Sequence, residues 1–194
     1  MGFTFTSGDL ALDFAGTVQH RRSDRRDLLT TPADLAAWTV EAGLLTTPPG
    51  AAPPSTAVTG LREADLDAAI RLREAVYRLA AARTGAGTGT GEADDRDLVN
   101  QHAAGAPVTV RLTPGGTVER TGDLAAALAS LARAAVELLG GPAAADIKEC
   151  GADPCTRLYL DSSRRRSRRW CDMRECGNRA KAAAFRARHA ADRP

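Results

Sequence analysis

The sequence predicts a mainly α chain in two parts. Residues 1–145 read as a multihelical N-terminal domain with a small β-hairpin. Residues 146–194 read as a small four-cysteine module built from a hairpin and a helix. Three observations carry this. Apolar residues recur at helical spacing over Leu61–Arg83 and Asp123–Leu138. Pro114-Gly115-Gly116 separates two short alternating runs, which is hairpin chemistry. The only four cysteines fall as two C-x4-C pairs, Cys150/Cys155 and Cys171/Cys176, fifteen residues apart.

The 194 residues suffice for one ordinary domain and a small additional module. The overall charge of +2 is unevenly spread. Residues 146–194 hold thirteen Lys and Arg against seven Asp and Glu, a net of +6, which leaves −4 for residues 1–145. A basic C-terminal module on a mildly acidic body points to a polyanionic partner for that module alone. Only Lys148 and Lys181 are lysines. With abundant Ala and Gly, that arginine bias fits a GC-rich bacterial genome, which weakens any argument from Arg chosen over Lys. No apolar run reaches the ~20 residues that span a bilayer, and the first residues carry neither a basic nor an apolar leader segment. A cytoplasmic, non-membrane protein is the expectation.

Taken in order, Phe3 and Phe5 alternate with threonine as in a short strand, and Leu10, Leu12, Phe14 and Val18 supply anchors. The arginine-rich stretch to Asp27 reads as a solvated loop. Thr31-Pro32-Ala33-Asp34 starts a helix, with Thr as N-cap, Pro in the first turn and an acid at the positive end. Leu35, Trp38 and Ala42 mark its buried face, and Gly43 ends it. Thr46–Thr59, with four prolines, reads as a stiff loop. In Leu61–Arg83 the buried face is set by Leu66, Ile70, Val76 and Tyr77. Asp67/Arg71 and Glu74/Arg78 are acid-before-base pairs four apart. Thr84–Gly91 reads as a mobile Gly/Thr segment, and Asp94–Ala104 as a short helix. The hairpin follows at Val108–Leu112 and Thr117–Arg120. Asp123 caps a last body helix with Leu124, Leu128, Leu131, Ala135 and Leu138 on one stripe, stopped by Gly140-Gly141-Pro142. Ala143–Asp146 is the expected junction.

Two close cysteine pairs with a short insert are the usual form of a four-cysteine zinc site. Four thiolates close a tetrahedron and leave no position for a substrate water, so one structural zinc is expected. The competing reading is two disulfides in a secreted domain, disfavoured by the paired spacing and the N-terminal composition. After the first knuckle, Arg157–Asp161 reads as a strand. Asp161-Ser162-Ser163 opens a turn, and Arg168–Cys171 leads back. Cys176 begins a helix to about Ala190, in a treble-clef or ribbon-like arrangement. Leu158, Leu160, Trp170 and Phe185 are the expected core of the module.

Leu158–Arg164, Ser167–Cys171 and above all Cys176-Gly177-Asn178-Arg179, followed by Lys181, resemble the CGNR zinc finger. The resemblance covers roughly residues 146–190. Leu12-Asp13-Phe14, Thr17, the Leu35-x-x-Trp38 helix and Gly43-Leu44 resemble the ABATE domain that accompanies it, with Gly16 where that pattern has Asn. The resemblance implies a zinc-ribbon-like, nucleic-acid-binding module in a bacterial family of stress-linked transcription regulators, also described as RNA-binding.

The candidate nucleic-acid contacts are Arg164, Arg165, Arg166, Arg168, Arg169, Asn178, Arg179, Lys181, Arg186 and Arg188. Phosphate contact would give affinity without sequence information, while Asn178 and Arg179 at the helix start suit base edges. Asn178 as a helix cap, and the arginines as a solvated face neutralising the metal site, are the alternatives. Tyr159 either stacks on an unpaired base or is a half-buried strand residue. DNA and RNA are both open as partners. The body is left to dimerisation or to an unidentified small-molecule effector. No enzyme is expected: His20, His102 and His189 are scattered, and no cysteine is left over as a nucleophile. No phosphate loop follows a strand. Asp13 and Arg73 read as groups of a buried ion pair before they read as ligand contacts.

Overall fold

The computed structural model describes residues 2–47, 58, 60–85 and 91–191. Most of Thr46–Thr59 and of Thr84–Gly91, read above as a stiff loop and a mobile segment, lies outside them.

Among the described residues the body has five helices: α1 (Leu10–Ala15), α2 (Pro32–Glu41), α3 (Glu63–Arg83), α4 (Glu92–Ala103) and α5 (Leu124–Gly140). The local signals act as expected. Thr31 and Asp34 form a reciprocal capping box on α2. Gly43 at φ +70° turns the chain out of that helix, and Leu44 N–H donates back to the Thr39 carbonyl. Asp123 caps α5 through the Ala126 N–H. Thr109–Leu112 (β3) pairs antiparallel with Val118–Thr121 (β4).

The first twenty-seven residues depart from expectation. Phe3 and Phe5 lie in no strand. Asp9 instead caps α1, which carries Leu12 and Phe14 fully inside. The stretch to Asp27 is solvated only in part: residues 22–26 are exposed, while Arg21 and Asp27 are drawn inward. Val18–Gln19 (β1) and Arg26–Asp27 (β2) form a minimal hairpin. Arg21, in the turn between them, reaches inward to Glu74 of α3. Glu74 and Arg78 of α3 find partners other than each other. Glu74 takes Arg21 and Arg73, and Arg78 takes Asp95 of α4.

The main core joins Phe14 and Trp38, ring centroids 4.9 Å apart, with Leu35, Leu45, Leu72, Val76, Val99 and Leu131. Alanines at 69, 75, 127, 132 and 135 are also fully buried, which lets α3 and α5 approach closely.

The C-terminal module begins after a 3-10 turn, Pro142–Asp146. Ile147–Glu149 (β5) pairs with Leu158–Leu160 (β6). The hairpin therefore brackets the first cysteine knuckle instead of joining the two knuckles. A π-helical turn, Met173–Gly177, leads into α6 (Asn178–Ala191).

The expected core of the module also needs correcting. Leu158 and Ile147 share a cluster with Leu12, Ala80, Ala81 and Leu138, and Leu160 packs against it. Leu158 and Leu160 thus complete the body, while Tyr159 of β6 joins Cys150, Ala152, Cys171 and Cys176 in a small separate cluster against which Trp170 packs as expected. Phe185 is 54 % exposed. Among the described residues, α6 makes its main contacts with the turn that precedes it.

Candidate metal centre and the basic surface around it

The first knuckle runs between β5 and β6, and the second forms the entry to α6. Together they bring the thiols of Cys150, Cys155, Cys171 and Cys176 within 4.8 Å of one another. Cys155 and Cys171 sulfurs lie 3.8 Å apart, and those of Cys171 and Cys176 lie 3.6 Å apart. A tetrahedral zinc with sulfurs at ~2.3 Å has edges of ~3.8 Å, whereas a disulfide would need ~2.05 Å. All four cysteines are free. The donor set fits one Zn²⁺ and leaves no open coordination position.

The surroundings suit the charge of about −2 that four thiolates on zinc leave behind. The Arg179 guanidinium donates to the Cys176 sulfur at 3.2 Å, and the Cys171 N–H donates to the Cys150 sulfur at 3.4 Å. Hydrogen bonds from Cys155 and Cys171 hold the Cys150 thiol low, while hydrogen bonding to Cys150 pushes Cys171 up. Burial, then the neighbouring sulfurs, raises Cys176.

Asp161 organises the long insert. It is fully buried. It accepts from Lys148 at 2.6 Å, from the Ser163 hydroxyl at 2.6 Å and from the Arg168 N–H at 2.9 Å. Burial pushes its carboxyl up, but these donors outweigh it and hold the group well below the usual carboxylate range. The Asp-Ser-Ser turn was visible in sequence; the role as a hub was not. Tyr159 is also fully buried, and its hydroxyl donates to the Arg168 carbonyl at 2.6 Å. It is not available to stack on a base.

The arginine run divides by what each side chain touches. Arg166 pairs with Asp146 at 3.2 Å and reaches the Asp161 carbonyl. Arg168 donates to the carbonyls of Trp170 and Cys171 and lies over the Tyr159 ring. The Asn178 amide donates to the Arg174 carbonyl at 2.9 Å, a helix-entry role. Arg164 and Arg165 at the tip are exposed, as are Lys181, Arg186 and Arg188 on α6. None of these five makes an ion pair among the described residues. Arg169 is exposed and lies 5.4 Å from the Trp170 ring centre.

Arg157 was missed by sequence reasoning. It reaches from the start of β6 into the body, where its Nη1 donates to the Thr4 carbonyl at 3.1 Å and lies 3.7 Å from Asp13. A Cβ at Gly16 would stand 2.6 Å from that nitrogen. The glycine that replaces the expected Asn therefore makes room for a guanidinium from the zinc module. The Arg21 N–H to Thr156 hydroxyl bond, 2.9 Å, and the Arg22–Glu149 pair tie the same seam.

In the body, Asp13 and Arg73 are both buried but not paired with each other. Arg73 is held by both oxygens of Asp27 at 2.7 and 2.6 Å, and Asp13 accepts from the Ser7 N–H at 2.9 Å. Burial raises the Asp13 carboxyl, against the lowering pull of that bond.

No helix among the described residues is long and apolar enough to cross a membrane. No curated protein matches the chain. Two family models do, on either side of the 3-10 turn. Residues 147–189 match the CGNR zinc finger, and residues 8–142 match the ABATE model, described as "Putative stress-induced transcription regulator". The chain therefore belongs to the ABATE family and carries a CGNR zinc finger at its C-terminal end.

Proposed function

We propose that this protein is a cytoplasmic regulator that binds nucleic acid through its zinc module. The observation that carries the reading is the basic surface without ion pairs among the described residues: Arg164 and Arg165 at the insert tip, and Lys181, Arg186 and Arg188 on the exposed helix α6. In the body, Arg21, Arg73, Arg78 and Arg111 sit on carboxylates, while Arg71, Arg96 and Arg120 make no ion pair among the described residues but are not gathered on one surface with a metal-fixed helix. Solvated guanidinium groups of this kind suit phosphate oxygens, whose neutralisation releases counterions. Arg166, Arg168 and Asn178 serve the module itself, and Arg179 serves the thiolates. The contact set is thus narrower than the arginine run. The zinc holds the insert and α6 in one arrangement, and the body anchors that arrangement through Arg157.

The test is a fluorescence anisotropy titration of the zinc-loaded chain. Its arms are duplex DNA, single-stranded DNA and structured RNA, each at two salt concentrations. Binding should weaken as salt rises and vanish when zinc is chelated. On duplex DNA, Arg186→Ala with Arg188→Ala should flatten the log–log salt slope by ~0.9 for each phosphate no longer neutralised. The preferred arm separates a DNA regulator from an RNA binder. No binding in any arm at low salt would make the module a structural or protein-docking element.

A further inference from the structure

The body contains a cavity that neither the metal centre nor the basic surface uses. It measures ≈ 400 Å³ and lies where the C-terminal ends of α3 and α5 meet the flank of α4. Its floor is apolar: Leu79, Val99, Val136 and Leu139. Val136 is 40 % exposed although its neighbours on α5, Ala135 and Leu138, are buried. Two guanidinium groups line the cavity, Arg83 and Arg96. Arg83 is anchored by donating to the Leu139 carbonyl at 3.2 Å and makes no ion pair among the described residues. Arg96 is exposed and makes no ion pair among the described residues.

The geometry points to a binding site for a small amphipathic monocarboxylate. Two cations against the one acid in the lining, Glu92, leave a net charge of +1, which matches a monoanion better than a phosphate dianion. Asn100 adds an amide that can donate to the second carboxylate oxygen. Four apolar side chains accept a hydrocarbon or aromatic tail. The volume is at the low end for ligand sites and suits a molecule of on the order of ten non-hydrogen atoms. The residues alternating with this lining, Ala80, Ala81 and Leu138, turn to the other side and pack with Ile147 and Leu158 at the root of the zinc module. The site is therefore separated from that module by the thickness of α3 and α5. It uses no residue of the proposed nucleic-acid surface, so either reading can fail alone.

Isothermal titration of the zinc-loaded full chain with octanoate, benzoate and the neutral octanamide tests the proposal. Octanoate or benzoate should bind at one saturable site. Octanamide should bind at least about tenfold more weakly, as expected when a charge-assisted hydrogen bond is removed. Arg96→Ala, at an exposed position that leaves the fold intact, should weaken octanoate by a similar factor and leave octanamide unchanged. Val136→Trp should fill the cavity and abolish binding of all three, with circular dichroism confirming the fold. Absence of saturable binding by either carboxylate would overturn the proposal. So would binding that both variants leave unchanged.

Discussion

In the helical body, Arg73 is fully buried and Arg21 nearly so, each clasped by carboxylates contributed by β2 and α3. In the zinc module, Arg164, Arg165, Arg169, Arg174, Lys181, Arg186 and Arg188 stand in solvent with no ion pair among the described residues. The same residue type serves opposite ends because the two regions are stabilised differently. The body has a side-chain core of leucines, alanines and a Phe–Trp pair, large enough to bury a guanidinium whose hydrogen bonds go to Asp27, Thr17 and Glu74. Around the thiols of the module there is little beyond Ala152, Tyr159 and part of Trp170, so a metal supplies what apolar burial does not. Apart from Arg157, Arg166 and Arg168, which hold the fold, most arginines there stay outside, where polyanions can reach them.

Removing the metal should produce the largest effect. Structural zinc supplies ~10–16 kcal/mol in small modules at neutral pH. Cys171→Ser should reduce bound zinc from one per chain to none by metal analysis, unfold the insert and α6, and abolish nucleic-acid binding. The body should keep most of its helical circular dichroism but melt at a lower temperature. β5 and β6 give Ile147 and Leu158 to its core, and losing them exposes Leu12 and Leu138. An unchanged melting temperature would mean that the two regions are independent despite that shared cluster.

Breaking the body's buried pair comes next. Arg73→Met leaves Asp27 without its main partner and should cost about 3 kcal/mol by urea unfolding, as for other half-broken buried pairs. Zinc content should not change. Burial raises the carboxyls of Asp27 and Glu74, yet their arginines hold both below ordinary values. With folded values depressed, this contribution is complete above the unfolded pKa values of ~4 and is lost as pH falls through the lower folded values. Zinc is released by protonation of thiolates. On acidification the metal should leave first, and the body should unfold at lower pH. The reverse order, followed by metal release and near-ultraviolet dichroism, would mean that these ion pairs do not set the acid limit of the body.

These contrasts were only partly legible in the sequence. Helix ends were readable because a cap is a local event: Thr31/Asp34, Gly43 and Asp123 act on residues within four positions. The metal site was readable because spacing alone constrains two knuckles. What escaped depends on partners far along the chain. Arg21 through Asp27 reads as a solvated loop until Glu74 and Arg73, about fifty positions on, are placed beside it. β5 escaped because its partner lies across the first knuckle. Of the expected module core only Trp170 packs by the thiols; Leu158 and Leu160 turn to the body and Phe185 is exposed. Arg157 gave no sign at all. Its only trace was the missing Asn at Gly16, a small residue whose reason lies 141 positions away.

That seam yields a smaller and sharper effect. Gly16→Asn would place a side chain where the Arg157 guanidinium sits. The arginine is the flexible partner and would swing out, abandoning the Thr4 carbonyl and Asp13. A loss of about 1–2 kcal/mol is expected, the scale of one or two hydrogen bonds to a charged group. Because Arg157 follows Cys155 by two residues, zinc release to a chelator should also accelerate. Arg157→Ala should reproduce both effects, and the double variant should add little to either alone. Additive effects would mean that the two positions act separately.

The smallest effect on stability is expected within the arginine run itself, where the comparison between regions recurs over three adjacent residues. Arg164 and Arg165 are exposed and make no ion pair among the described residues. Replacing both with alanine should change unfolding free energy by no more than about 0.5 kcal/mol while weakening nucleic-acid binding at every salt. Arg166 ties Asp146 to the carbonyl of Asp161, and Arg166→Ala should cost about 1 kcal/mol. It should alter binding only through the shape of the loop. If all three substitutions weaken binding equally and none affects stability, Arg166 belongs with the contact surface, and the boundary between structural and solvated arginines falls at Arg168. If only Arg166 matters for stability, a run that looks uniform in sequence is divided by the Asp146 carboxylate and the Asp161 carbonyl, which hold Arg166 and leave the tip free to meet a phosphate.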